Sequence, residues 1–321
     1  MIKFIIKRLL ALIPVLVGVS LLVFFILDLA PGDPAKAALG EQARPEDIEA
    51  FREEMGLNDP FIVRYVNYML GLCQGDLGTS YKTRDPVGEE VWARLPNTAM
   101  LALTSTVVAI LLALPLGIIA AIKQNTLFDG ISMFISLLGI SMPVFWMGLL
   151  LILFFSVKLG WFDLYGLVGR NYAQLDSWGQ FLDKANHLVL PIITLVIVSV
   201  GSLMRYTRTN MLEVLNADYI RTARAKGLSE KKVIYHHAFR NTLIPLVTVV
   251  GGSLPGLFSG ALITETLFAI PGIGYTSYQA MVAGDIPFSM FYMTFLAVLT
   301  LAGNLISDIL YAVVDPRVRI A

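Results

Sequence analysis

The residues able to do chemistry in this chain are few, and their arrangement argues for docking rather than bond making. From Asp218 to Gly227 the sequence reads DYIRTARAKG. The cations Arg221, Arg224 and Lys226 are interleaved with the short side chains Thr222, Ala223 and Ala225, and Gly227 follows. Cations pair with carboxylates on another surface, and small side chains let two backbones approach closely. Glycine adopts the left-handed conformation that reverses a chain. The bland alternative is a basic loop beside a membrane, attracted to anionic lipid. Two acids stand in apolar surroundings, Glu265 and Asp308, where ionisable groups are costly and either paired or functional. Glu265 could meet a substrate amine in a pathway. The favoured reading is structural, with its carboxylate serving the backbone donors of the Pro271-Gly272 hairpin. Asp308 is expected to pair with Arg205 or Arg208, the alternative being a water-filled vestibule. Gly252 and Pro255, with Gly251 and Gly256, could shape a pathway face or only permit close helix packing.

Bond-making chemistry finds little support. Cys73 is the one cysteine, so an intrachain disulfide is impossible and a cysteine metal site is not indicated. The histidines are His187, His236 and His237, without HExxH spacing. His236 and His237 are adjacent on an expected helix and so face different directions. A GxxxxGK[ST] phosphate loop is absent, so the chain has no visible means of binding ATP.

The elements that must position these residues are membrane helices. Of 321 residues, 56% are hydrophobic, and the mean hydropathy of +0.70 makes a bilayer the expected solvent. Lysine plus arginine and aspartate plus glutamate number 24 each, so no bulk attraction to nucleic acid is indicated. Apolar runs predict six spans, near 5–27, 98–122, 131–157, 187–203, 243–267 and 288–314; a five-span arrangement is the alternative. Lys3, Lys7 and Arg8 stand at the start of the first run, which is longer than a signal-peptide core and is expected to be retained. Residues 205–240 carry eight basic and three acidic side chains, which places that loop in the cytoplasm. Both chain ends then fall on the cytoplasmic side. Residues 30–96 hold seven basic and twelve acidic residues and form an outside segment. In it Pro45 and Asp59-Pro60 are expected to start short helices, with a further short helix over 87–93. Asp218 is expected to cap the helix that ends at Gly227, and Ser229 to cap a second one. Ser141-Met142-Pro143 predicts a kink. The expected division is a first transmembrane helix over 1–29, the extracytoplasmic segment 30–96, and a five-helix core 97–321 containing the loop 205–244.

RTARAKGLSEKKVIYHHAFRNTLIP, from Arg221 to Pro245, resembles the cytoplasmic loop of ATP-binding-cassette importer permeases in its peptide-transporter form. APGDP, GDLGTSY, RLPNTAMLAL, ETLFAIPGIG and the terminal DPRVR agree, and together they cover nearly the whole chain. Arg221-Thr222-Ala223 stands where the wider family has Glu-Ala-Ala, so a glutamate contact is not carried over. The resemblance implies an all-α polytopic permease subunit of a dipeptide or oligopeptide importer, with the type I importer fold. Nickel-chelate and glutathione importers have similar permeases and remain open, as does, in another class, an ATP-independent secondary transporter or channel. It further implies that the helix around 218–226 is a coupling helix seated on a separate ATPase. Expected partners are a second homologous permease, two ATPases that bind ATP and Mg, an external solute-binding protein, short peptides and the lipid bilayer. The implied location is a bacterial or archaeal cytoplasmic membrane. No cofactor and no metal is expected in this chain.

Overall fold

The computed structural model describes residues 2–29, 32–40, 42–243, 246, 249 and 254–314. Among them the regular structure is helical, and the single antiparallel bridge Thr79–Pro86 is the only extended pairing. Four helices are long and apolar enough to cross a bilayer: Arg8–Asp28, Val87–Ile122, Ser177–Leu215 and Ile286–Ile309. The pair Leu127–Ser141 and Val144–Lys158, bent by 105°, makes a fifth if it counts as one span. The bend sits at the expected Met142-Pro143 step, where Met142 N–H still donates to Leu138 O at 3.1 Å. The expected fifth span of the sequence is described as helix over Leu254–Phe268. Gly251 and Gly252 lie outside the described residues, as do Pro245 and the terminal DPRVR.

Two expectations need correction. The short helix at 87–93 and the span starting at 98 are one helix, α5, Val87–Ile122. Pro96 does not break it, because a proline removes only its own N–H and its ring clash can be relieved by a small bend. Tertiary bonds hold the helix just beyond: Asn97 Nδ2 donates to Pro271 O at 2.9 Å, and Thr98 Oγ1 accepts from Ile273 N at 2.8 Å. The fourth span is likewise longer than its apolar run. Helix α8 covers Ser177–Leu215, opened by Asp176, whose carboxylate accepts from Gly179 N at 2.9 Å.

The chain divides into two compact units, residues 2–99 with 271–302 and residues 100–270 with 303–321. In the first unit α3, Pro45–Glu54, and α4, Phe61–Gln74, form as their start signals predict, and a further short helix not expected from the sequence, α2, Pro34–Leu39, precedes them. Ile48 and Phe51 of α3 are buried with Ala35 and Tyr81. Tyr65 of α4 packs on Phe24 of α1, Ile2–Asp28, and its hydroxyl meets Ser20 Oγ at 2.9 Å. Asp285 ties the GDLGTSY loop to the helix Ile286–Val314. It accepts from Ser80 Oγ at 2.5 Å and from Tyr81 N at 3.2 Å.

In the second unit α8 is the central element. It packs against α6, Leu127–Ser141, through backbone contact. A Cβ on Gly201 would lie 2.8 Å from Ser136 O, and one on Gly139 would lie 2.9 Å from Ile197 O. Small residues let helices approach this closely in lipid, where association relies on packing rather than the hydrophobic effect. Leu101, Leu190, Phe268 and Ile270 belong to one buried cluster of this unit. A second cluster lies under the basic loop and is described next.

Candidate coupling interface

The loop 216–242 is built as a helix, a glycine turn and a second helix. Helix α9 spans Asp218–Ala225. Its N-cap is Ala217, not Asp218 as the sequence suggests; Ala217 is extended and has no side chain to cap with. Asp218 is instead the first helical residue, where a carboxylate favours the positive end of the helix dipole.

The turn that ends α9 has both bonds of the Schellman motif. Leu228 N donates to Ala223 O at 3.4 Å and Gly227 N to Arg224 O at 2.9 Å, with Gly227 at φ +73°. Leu228 also supplies the apolar contact usual in this motif, packing against the cluster beneath. Ser229 then opens the second helix as expected, although through its carbonyl, which accepts from Lys232 N at 2.9 Å and Val233 N at 3.0 Å. Helix α10, Glu230–Lys232, continues as a π-helical stretch, Val233–Phe239.

What fixes this pair of helices is their inward face. Ile220 and Ala223, one turn apart, are buried with Val233, Ile234 and Ala238, with Met211 of α8 and with Ile118 and Ala121 of α5. Ala223 therefore faces inward, which corrects its expected place among the residues offered to a partner. The helical repeat puts it on the same side as Ile220. The outward face consists of Tyr219, Arg221, Thr222, Arg224, Ala225 and Lys226, all exposed.

The cations are not equivalent. Arg224 forks onto Glu230 across the turn, Nη2–Oε1 2.7 Å and Nε–Oε2 3.3 Å. This guanidinium holds the Glu230 carboxyl below its ordinary range. Arg224 thus braces its own loop. Arg221 lies 3.6 Å from Asp218, both highly exposed, a weak pairing that leaves it able to turn outward. Thr222 Oγ1 donates to Asp218 O at 3.0 Å, so its hydroxyl is satisfied within the helix.

A second strut was not anticipated. Arg208 of α8 makes a bidentate pair with Asp129, Nε–Oδ1 2.5 Å and Nη2–Oδ2 2.7 Å. The Asp129 carboxylate is almost wholly buried and also accepts from Asn125 N at 3.0 Å. It clamps the turn 123–130 to the end of α8. The fork of Arg208 is filled by Asp129 rather than by Asp308, which is half-buried on its own helix. The sequence signal was Thr126-x-x-Asp129 before an apolar run, the mark of a helix start: Thr126 is the N-cap of α6.

The remaining candidates stand apart from this loop. Glu265 is fully buried in the helix Leu254–Phe268. The donor at Ile273 beyond the Pro271-Gly272 hairpin is served by Thr98, and Asn97 serves the carbonyl of Pro271. Pro255 falls in the first turn of the same helix, and Gly252 lies outside the described residues. The rings of His236 and His237 meet edge to face at 5.0 Å. Among the described residues no cluster of three potential metal ligands occurs.

Comparison with known proteins covers nearly the whole chain. Residues 113–320 match the family described as binding-protein-dependent transport system inner membrane component. Residues 1–102 match its companion, the N-terminal part of the same membrane components. The chain is 41% identical over 320 residues to the oligopeptide transport system permease protein AppB of Bacillus subtilis, covering 99% of this chain and 100% of that one. It is 40% identical over 332 residues to the dipeptide transport system permease protein DppB of Alkalihalophilus pseudofirmus, at 99% and 100% coverage. It is 41% identical over 333 residues to the di/tripeptide transport system permease protein DppB of Pseudomonas aeruginosa, at 99% coverage of both.

Proposed function

We propose a mode of action that starts from kinship: this chain belongs to the family of binding-protein-dependent transport system inner membrane components. It is a multi-pass membrane permease subunit and not itself an enzyme. Its cargo is short peptides, as the names of its relatives indicate for those proteins. It forms half of the translocation path beside a second, similar permease. Two ATPase subunits bind ATP and Mg on the cytoplasmic side, and a solute-binding protein delivers peptide from outside. Six spans, with both chain ends in the cytoplasm, give the basic loop the side that the ATPases occupy.

The observation that carries this reading is the basic helix Asp218–Ala225. It is locked by a Schellman turn and an Arg224–Glu230 fork, and seated on α5 and α8 through buried apolar contacts. A short helix held this rigidly transmits a push to the long helices beneath it instead of absorbing the push in its own loop. ATP-driven closure of two ATPases therefore biases a two-state arrangement of the spans. Arg221 and Lys226 are the cations available to meet acids on the ATPase. Glu265, Gly252, Pro255 and Asp308 are the candidates for the pathway or its scaffold.

The test is co-purification and uptake. The tagged chain should bring down an ATPase pair and a second permease. The complete complex, reconstituted in proteoliposomes, should accumulate peptide only with ATP inside the ATPase compartment and binding protein opposite. Accumulation by this chain alone, without nucleotide, would overturn the proposal in favour of a secondary transporter.

A further inference from the structure

We infer that the groove between α5 and the π-helical stretch of the basic loop is a binding site for one anionic phospholipid. It is lined by Ile110, Leu111, Leu114, Ile118 and Ile119 of α5 and by Tyr235 and Phe239, with a volume of about 390 Å³. Its walls are apolar, and Leu111 is 67% exposed. Left open to water, such a lining is unfavourable; an acyl chain lying along it satisfies it. That much would suit any lipid tail, and charge decides which lipid.

In sequence, a lysine follows the end of one wall and two lysines precede the start of the other. Ala121 of α5 packs with Ile220 and Ala223 of α9, and α10 starts at Glu230 directly after the turn that ends α9. The last turn of α5 and the first turn of α10 therefore border the same helix. Lys123 follows α5 one turn beyond Ile119, a groove residue. Lys231 and Lys232 precede Tyr235, another groove residue, by one turn. All three lysines are exposed. Lys123 Nζ lies 5.8 Å from the Phe128 ring centre, a contact that leaves the ammonium open on its other sides. The nearest acid on the second helix, Glu230, is already engaged by Arg224. Three ammonium groups at the polar mouth of an apolar groove complement a phosphate joined to acyl chains. A zwitterionic headgroup gains less there, because its own cation offsets the phosphate. The site goes beyond the transport reading and does not depend on which solute is carried.

The experiment is native mass spectrometry of the intact transporter complex, released from nanodiscs holding equal phosphatidylglycerol and phosphatidylcholine. The wild type should retain phosphatidylglycerol in preference. Each lysine replaced by glutamine should weaken that preference by about fivefold, the effect of one basic residue near an anionic surface. The triple variant K123Q/K231Q/K232Q should lose it. Leu111→Trp, which fills the groove and leaves every lysine in place, should also lose it while the complex stays whole. Equal retention of the two lipids by the wild type would overturn the inference. So would undiminished phosphatidylglycerol in Leu111→Trp. Loss of the second permease from Leu111→Trp, with lipid retention unchanged, would show instead that the groove is a contact between subunits.

Discussion

Replacing Gly227 separates backbone geometry from side-chain bulk, because a Cβ there would meet nothing within 4 Å. The cost of a substitution is therefore the left-handed conformation itself, with φ at +73°. For an ordinary L-residue that cost is roughly 1–2 kcal/mol, with valine at or above the upper end and asparagine lowest. If the chain relaxes instead, the two Schellman bonds open, and each is worth about 0.5–1.5 kcal/mol. By either route the ordered turn becomes at least about 5-fold less populated relative to its frayed form. A frayed turn lets α9 move without moving α8, so force is lost in the loop. The assay is ATP hydrolysed per peptide taken up by the reconstituted complex. Gly227→Asn should stay near wild type, Gly227→Ala should be intermediate, and Gly227→Val should waste the most ATP. An unchanged ratio in the valine variant would refute the coupling role. Asparagine as damaging as valine would refute the backbone argument, since then any side chain at the surface is the obstacle.

Further outcomes follow from the other struts. Asp129→Asn leaves the Arg208 guanidinium poorly compensated in a partly buried place, a loss of roughly 1–3 kcal/mol. Thermal melting of the solubilised complex should show it, and the double variant with Arg208→Gln should lose less than the sum of the singles. The Arg224–Glu230 fork is exposed and worth below about 1 kcal/mol. The Glu230 carboxyl is held below its ordinary range, so the fork contributes at neutral pH and is lost as acidity carries the pH down through the lowered value. Amide-exchange protection of 223–229 should fall in that window in the wild type and not in Glu230→Gln. Glu265→Gln changes a fully buried carboxylate. It should lower the melting temperature while leaving the peptide concentration for half-maximal uptake unchanged; an altered concentration dependence in a normally folded protein would place Glu265 in the pathway.

Local signals in the sequence were read correctly where a single residue decides the geometry. Gly227 ends α9, Pro45 starts α3, and Met142-Pro143 breaks the third hydrophobic run. Errors arose where distant contacts decide. Pro96 looked like a boundary, but bonds from Asn97 and Thr98 to residues more than 170 positions away hold α5 continuous. Ala223 looked like a surface residue until Val233 and Met211 closed over its face. Asp129 and Arg208 stand 79 positions apart, and nothing in their local sequence pairs them. The length of α8 was hidden because its ends are polar, and hydropathy reports only the part that lipid would surround.

The 105° elbow between Ser141 and Val144 has a further consequence. A helix end leaves carbonyl groups without donors from its own ladder, and hydrocarbon tails have none to lend. Ser141 and Pro143 lie open on the surface of this chain. The elbow must then rest at headgroup depth, or turn toward moisture or a neighbouring polypeptide, and whichever it does fixes the rotational setting of that pair of helices in the membrane.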